Sequence, residues 1–182
     1  MSYKLSQSIV FVGMMGAGKT AIGRALAEEL AVPFVDSDDA IEQAANLSIS
    51  EIFAKFGEAF FREKEMQVVR RLVNENAQVI ATGGGAYCQA ETRSIINHQS
   101  ISVWLNADLE TIWNRVKGKN HRPLLQVENP KEVLATMLTT RLPDYRKAQL
   151  EIEVNAESSI EETRDLVLRK LIDQNLVKGI QA

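Results

Sequence analysis

Residues 13–20, GMMGAGKT, match the pattern G-x-x-x-x-G-K-[ST], whose residue types are suited to binding phosphate groups. The glycines allow a tight turn that aims backbone N–H groups at phosphate oxygens, and a following helix adds positive potential. An apolar run at residues 8–12 predicts a buried strand, and apolar residues four apart after position 20 predict a helix. Lys19 would then reach the β- and γ-phosphates, and the Thr20 hydroxyl would bind Mg²⁺. We therefore expect a nucleoside triphosphate site, with a flexible glycine-rich turn as the alternative.

Two carboxylates follow the next strand-like segment. Asp36 and Asp38 come directly after residues 34–35, and ligands of parallel α/β sheets lie beyond the carboxyl ends of the strands. On extended chain, their spacing of two would point them in related directions. Asp36 is a candidate for holding Mg²⁺ through water, and Asp38 for orienting a substrate hydroxyl or taking its proton. Capping of the next helix is the alternative for each acidic residue here, and Asp39 is one candidate cap.

Three consecutive glycines, residues 83–85, follow another strand-like segment. Their cost in backbone entropy makes them poor filler, so we expect a ligand to lie flat against this backbone. The N–H groups of such a turn can also bind an anion. A tight structural turn is the alternative.

Two arginines are candidate anion-binding residues. If both face the cleft, Arg62 and Arg141 form a fork-shaped clamp suited to a carboxylate. For Arg62 the alternative is a surface ion pair with Glu65, one helical turn away. Pro143 follows Arg141 closely and is expected to kink its helix.

Alternating strand and helix patterns predict a three-layer α/β fold with a parallel sheet and right-handed crossovers. The expected strands are residues 8–13, 33–36, 78–81, 101–105 and 151–154. The expected helices lie near residues 19–31, 58–75, 89–97, 108–117, 130–148 and 159–175. With no repeat or linker, residues 1–182 are predicted to form one domain.

Two segments interrupt this alternation. The first, about residues 37–61, contains a Ser48/Glu51 capping pattern that opens a short helix ending at Gly57, and four of the six phenylalanines. We expect it to be a helical substrate-binding insertion with those phenylalanines as its core. The second, about residues 117–128, is a basic loop that we expect to act as a lid over the triphosphate, with a solvated charged loop as the alternative.

The composition favours a cytoplasmic protein without macromolecular ligands. A net charge of −3, from 21 basic and 24 acidic residues, argues against a nucleic-acid partner. The single cysteine, Cys88, forms no intramolecular disulfide, which is typical of a reducing compartment. No signal-peptide pattern or apolar run of about eighteen residues is present, so no membrane association is expected.

Taken together, these motifs resemble the shikimate kinase family over roughly residues 9–154. The matching segments occur in the family's order: Gly18-Lys19-Thr20, Phe34-Val35-Asp36-Ser37-Asp38, Ile41-Glu42, Ser48-Ile49, Glu51-Ile52-Phe53, Gly57-Glu58, Phe61-Arg62-x-x-Glu65, Gly83-Gly84-Gly85, Arg122-Pro123-Leu124-Leu125 and Arg141-x-x-x-Tyr145. The resemblance implies a P-loop kinase fold with a five-stranded parallel sheet of order 2-3-1-4-5. It also implies a monomer that transfers the γ-phosphoryl group of ATP to the 3-hydroxyl of shikimate, with Mg²⁺.

The resemblance also implies roles for individual residues. The catalytic residues would be Lys19, Asp38 and Arg122, and the Mg²⁺ residues Thr20 and Asp36. ATP would be bound by Gly13, Gly16, Ala17, Gly18, Lys19, Thr20, Ala21, Arg115 and Arg122. Shikimate would be bound by Asp38, Arg62, Gly83, Gly84, Gly85 and Arg141, with both arginines on its carboxylate.

The sequence departs from the family pattern in two places. No arginine occurs near residues 155–158, where the family has a second adenine contact, and the segment from about Leu171 lies outside the resemblance. Two other functions stay open. One is a related small-molecule kinase, such as a gluconate kinase; the other is a nucleotide-dependent switch without an acceptor.

Overall fold

A computed structural model describes residues 2–118 and 127–180. Its strands are β1 (Ser2–Leu5), β2 (Ile9–Val12), β3 (Phe34–Asp36), β4 (Val79–Ala81), β5 (Ile101–Ala107), β6 (Leu150–Val154) and β7 (Val177–Ile180). Its α-helices are α1 (Lys19–Leu30), α2 (Ser37–Ala45), α3 (Ile49–Val73), α4 (Ala90–Gln99), α5 (Leu109–Val116), α6 (Pro130–Tyr145) and α7 (Ile160–Asp173). A short 3₁₀ helix, Ala86–Cys88, follows the glycine turn.

Five parallel strands form the central sheet, in the order β3-β4-β2-β5-β6. Counted within this sheet alone, the order is 2-3-1-4-5, so the predicted topology is confirmed. Strands β2 and β4 are wholly buried, because helices cover both faces of a parallel sheet. Edge strand β6 instead alternates buried and exposed residues.

The register of the sheet brings the predicted site segments to one edge. Phe11 of β2 and Asp36 of β3 both pair with Ala81 of β4. The chain therefore leaves these three neighbouring strands at nearly the same level. The phosphate-binding loop, the aspartates and the glycine turn all begin there.

Two parts of the fold were not predicted. Strands β1 and β7 pair antiparallel in a separate two-stranded sheet, which joins the two ends of the described chain. Helix α2 starts directly after β3, within a segment for which only a later helix was expected. All three elements are short, and the pairing of β1 with β7 is a contact between distant segments that no local pattern shows.

The helical insertion was predicted correctly in outline and wrongly in its packing. Ser48 and Glu51 form the expected capping box, and Gly57, with φ 79° and ψ 175°, interrupts α3 where a helix end was expected. Phe61 is buried, but Phe53 and Phe56 are 37% and 52% exposed. The phenylalanine rings contact each other in two tilted pairs, Phe53 with Phe61 and Phe56 with Phe60. The four rings therefore form two partly exposed pairs and not a closed core.

Helix α6 continues past Pro143 to Tyr145, so the proline lies in the last turn of the helix, close to its end.

Among the described residues, no helix has the length and apolar character needed to cross a membrane.

Candidate active site

The loop between β2 and α1 has the backbone geometry of a phosphate-binding loop. Gly13 and Gly16 have φ values of 132° and 78°, which side-chain-bearing residues rarely adopt. A Cβ at Gly13 would lie 2.8 Å from the Leu105 carbonyl oxygen, so the loop packs directly against the end of β5. Helix α1 begins at Lys19. The backbone N–H groups of its first turn therefore point toward the loop.

The side chain of Lys19, the first residue of α1, folds back onto the loop that precedes the helix. Its side chain is buried, and its ammonium group donates to the carbonyl oxygens of Gly13 at 2.8 Å and Met14 at 2.9 Å. These contacts hold a positive charge where the loop would receive phosphate oxygens. Lys19 is therefore placed to neutralise phosphate charge.

Asp36 connects the loop to helix α2. One carboxylate oxygen accepts a hydrogen bond from the Thr20 hydroxyl at 3.0 Å, and the other accepts from the Asp38 backbone N–H at 3.0 Å. Asp36 is thus the N-cap of α2, so the capping alternative applies to Asp36, whereas Asp39, the other candidate cap, is exposed in the first turn. Asp38 also lies in this turn, so the expectation that both carboxylates lie on extended chain is wrong. The chain turns helical at once because the Asp36 side chain caps it.

Thr20 and Asp36 suit Mg²⁺ bound together with phosphates. Mg²⁺ in nucleotide sites takes one or two protein oxygens, phosphate oxygens and water, which a hydroxyl and a carboxylate in contact can supply. Within residues 2–118 and 127–180, no group of three His, Cys, Asp or Glu side chains forms a dedicated metal site.

Asp38 has an unusual environment for a carboxylate. Burial, and then the nearby charges of Asp36 and Glu65, raise its pKa from 3.8 to about 6, while Lys19 acts in the opposite direction. Its Oδ1 atom is buried and has no hydrogen-bond partner among the described residues. A Cβ at Gly83 would lie 2.8 Å from this oxygen. An acceptor without a partner is suited to a hydrogen bond from a hydroxyl group of a ligand.

The glycine turn brings both predicted arginines to the same place. A Cβ at Gly84 would lie 3.3 Å from Arg141 Nη1, and one at Gly85 would lie 2.6 Å from Arg62 Nη2. The two guanidinium groups therefore contact adjacent residues of one turn. This arrangement permits the clamp geometry expected from the sequence.

Glu65 is the site residue that sequence reasoning missed. It is 1% exposed and accepts a hydrogen bond from Arg62 at 2.7 Å, so the ion pair given as the alternative for Arg62 is present, but with a buried carboxylate and not at the surface. Burial raises the pKa of Glu65, while the charges of Arg62 and Arg141 oppose that shift. The spacing of Arg62 and Glu65 was visible in the sequence, but the burial of Glu65 was not. Glu65 fixes the Arg62 guanidinium beside the glycine turn.

A cavity of about 600 Å³ joins these features. It extends from the phosphate-binding loop past Asp36 and Asp38 to Gly83 and Gly84, and in the other direction to Arg115 and residues 158–160. Arg115 donates to the carbonyl oxygens of Gly16 at 3.3 Å and Ala17 at 3.2 Å. The volume is in the range of small-molecule sites.

Some predicted residues lie elsewhere. Arg62 and Arg141 do not line this cavity and lie against the glycine turn beside it. Arg122 and most of the predicted lid lie outside the described residues.

The sequence matches a known protein family over most of its length. The family model described as shikimate kinase matches residues 15–172 of this chain. The chain belongs to the shikimate kinase family. A shikimate kinase from Ruegeria pomeroyi is 49% identical over 167 residues, covering 92% of this chain and 86% of that protein.

One solved structure agrees with this membership, and another shares only the fold. A shikimate kinase from Acinetobacter baumannii in complex with shikimate has a TM-score of 0.89 and 40% identity, covering 93% of this chain and 95% of that one. A gluconokinase from Sinorhizobium meliloti 1021 has a TM-score of 0.59 and 16% identity, covering 94% of this chain and 98% of that one, and shows a shared fold alone.

The raised pKa of Asp38 predicts that the ionised carboxylate destabilises the fold. Because the folded state holds its proton more tightly than the unfolded chain, this destabilisation is full above about pH 6 and fades toward pH 3.8. Asp38→Asn should therefore raise the free energy of unfolding at pH 8 by up to about 3 kcal/mol. Urea unfolding at pH 8 and at pH 5 measures this, and the gain should shrink at pH 5.

Asp39→Asn is the matched control, because Asp39 lies in the same helical turn and is exposed. We expect that variant to stay within about 0.5 kcal/mol of the wild type at both pH values. An Asp38→Asn protein that is no more stable than the wild type at pH 8 would contradict the strained environment of this carboxylate.

Proposed function

We propose that this protein transfers the γ-phosphoryl group of ATP to the 3-hydroxyl of shikimate, producing shikimate 3-phosphate and ADP. The main support is the glycine turn, where the unpartnered Asp38 oxygen and two guanidinium groups contact three consecutive residues. A hydroxyl and a carboxylate on one small molecule match those groups. Membership of the shikimate kinase family supports the same acceptor.

The triphosphate would occupy the cavity at the phosphate-binding loop. Backbone N–H groups of the loop and the N-terminus of α1 would hold the phosphates, with Lys19 bridging the β- and γ-phosphates. Thr20 and Asp36 would hold Mg²⁺, which neutralises charge on the phosphate oxygens when bound. Arg115 lies at the opposite part of the cavity and would contact the adenine end. Ala21, the third residue of α1, completes this set.

The acceptor would lie between Asp38 and the arginines. Asp38 would accept a hydrogen bond from the 3-hydroxyl of shikimate and so direct the hydroxyl oxygen toward the γ-phosphorus. Arg62 and Arg141 would bind the carboxylate of shikimate. A loose transition state needs little early proton removal, so orientation is the main contribution of Asp38. By family resemblance alone, Arg122 would stabilise charge on the transferred group. No covalent phosphoenzyme is needed.

Mg²⁺-dependent ADP release tests the reaction directly. The purified protein is given ATP with shikimate, with gluconate, or without an acceptor. We expect turnover with shikimate only, and we expect Asp38→Asn to bind ATP yet lose most of that turnover. Turnover with gluconate and not with shikimate would mean that the acceptor substrate is gluconate. ATP binding without any acceptor-dependent turnover would favour the nucleotide-dependent switch.

The pH dependence of the rate tests the role of Asp38. Since the pKa of Asp38 is about 6 and the carboxylate form is required, kcat/KM should fall with a slope near one per pH unit below pH 6. Steady-state rates with both substrates below KM measure this, because they report ionisation of the free enzyme. The residual activity of Asp38→Asn, measured over the same pH range, is the control. This variant lacks the carboxylate, so a fall of its rate at low pH would come from another group, such as ATP. If that variant shows the same acidic limb, Asp38 is not its source.

Arg141→Ala tests the carboxylate clamp. Loss of a charge-assisted contact should weaken shikimate binding by about 2–4 kcal/mol, while the KM for ATP stays close to that of the wild type. Arg146→Ala is the matched control, because Arg146 is exposed at the C-cap of the same helix. Calorimetric titration with shikimate would decide, and equal affinities for both variants would remove Arg141 from the acceptor site.

We also propose, from composition and family resemblance, that the protein is a cytoplasmic monomer without nucleic-acid or membrane partners.

A further inference from the structure

The last turn of helix α6 contacts the glycine turn through two side chains. Arg141 lies beside Gly84, and Tyr145, one helical turn later, donates a hydrogen bond from its hydroxyl to the Gly84 carbonyl oxygen. Tyr145 is completely buried, and its ring stacks on Trp104 of β5 at 6.0 Å between ring centroids. The proposed mechanism gives this tyrosine no task.

Gly84 is held closely on its other side. A Cβ there would lie 3.4 Å from the backbone nitrogen of Met15 in the phosphate-binding loop, as well as 3.3 Å from Arg141 Nη1. The glycine turn therefore fills the space between the phosphate-binding loop and α6. A small shift of this turn would change the separation between Arg141 and the reacting end of the cavity.

A second set of contacts ties the same two elements together. The Arg93 guanidinium donates to the carbonyl oxygens of Tyr87 at 2.9 Å and Cys88 at 3.3 Å, within the 3₁₀ helix that follows the glycine turn. It also pairs with the Asp144 carboxylate of α6 at 3.1 Å. The Arg93 and Asp144 side chains are only 14% and 26% exposed, so solvent screens this pair less than an exposed one.

We propose that Tyr145 and Asp144 are positioning residues for the acceptor site. They hold the last turn of α6 against the glycine turn, and so set where the Arg141 guanidinium stands relative to Gly84. This inference rests on the proposed function of the site. Neither residue touches the substrate; both act through Arg141 and the turn. Because a guanidinium–carboxylate contact depends strongly on geometry, loosening the turn weakens acceptor binding without removing any acceptor contact.

Tyr145→Phe removes the hydroxyl and keeps the ring. We expect the KM for shikimate to rise severalfold and at most about tenfold, because displacement of Arg141 can weaken binding by no more than about one well-placed hydrogen bond, while the KM for ATP changes less than about twofold. The matched control is Tyr87→Phe, because Tyr87 is equally buried but its hydroxyl donates to Asn97 Oδ1 of α4 at 2.8 Å and not to the glycine turn, and the substitution leaves the Tyr87 carbonyl in place. Both variants should lose some thermal stability, but only Tyr145→Phe should change the KM for shikimate.

A double-mutant cycle separates positioning from general destabilisation. If Tyr145 acts through Arg141, adding Tyr145→Phe to Arg141→Ala should cause little further loss of kcat/KM for shikimate. Asp144→Asn gives a second variant and should raise the KM for shikimate in the same direction. Glu91→Gln, which breaks an exposed ion pair with Arg70, should leave it unchanged.

The outcomes are distinct. Equal rises in KM for Tyr145→Phe and Tyr87→Phe, an unchanged KM in Tyr145→Phe, or additive losses in the cycle would each overturn the positioning role while the wild type stays active. A wild-type protein that shows no turnover with shikimate would overturn the proposed function, and this inference with it.

Discussion

The close approach of three consecutive glycines to three charged side chains is the contact on which this site depends. Gly83 lies against Asp38, Gly84 against Arg141, and Gly85 against Arg62. These side chains come from three different helices, and each approaches the turn more closely than a Cβ would ordinarily allow. A side chain at any of the three positions would push a charged group away. The turn is therefore the common surface on which the candidate acceptor site is assembled.

The same assembly concentrates charge in a buried place. Asp38 and Glu65 are two acidic groups near each other, and burial raises the pKa of both. Arg62 compensates Glu65 through a short ion pair, but Asp38 Oδ1 has no partner among the described residues. This imbalance is typical of functional sites, where an arrangement that destabilises the empty protein is suited to a ligand. A hydrogen bond from a hydroxyl group of the acceptor substrate would give this Asp38 oxygen a partner.

Several predictions from the sequence were correct because they depend on local chemistry. The phosphate-binding loop follows from glycine spacing, and the five strands follow from short apolar runs. The rules for parallel sheets with right-handed crossovers then narrow the possible topologies. The capping box at Ser48 and the break at Gly57 are likewise properties of a few adjacent residues. The wrong predictions, such as extended chain from Asp36 to Asp38 and the enclosed phenylalanine core, concern how a local segment turns and packs.

The amino-acid sequence by itself therefore determined the types of chemical group and the order in which they occur along the chain. Tertiary structure decided which of them meet. The sheet register brings the ends of β2, β3 and β4 to one level, and the packing of α3 and α6 then sets two distant arginines on one turn. It also buries Glu65, whose spacing from Arg62 alone suggested a surface pair, and joins β1 to β7 across the length of the chain. Burial and contact between distant segments depend on the whole fold, so no local pattern contains them.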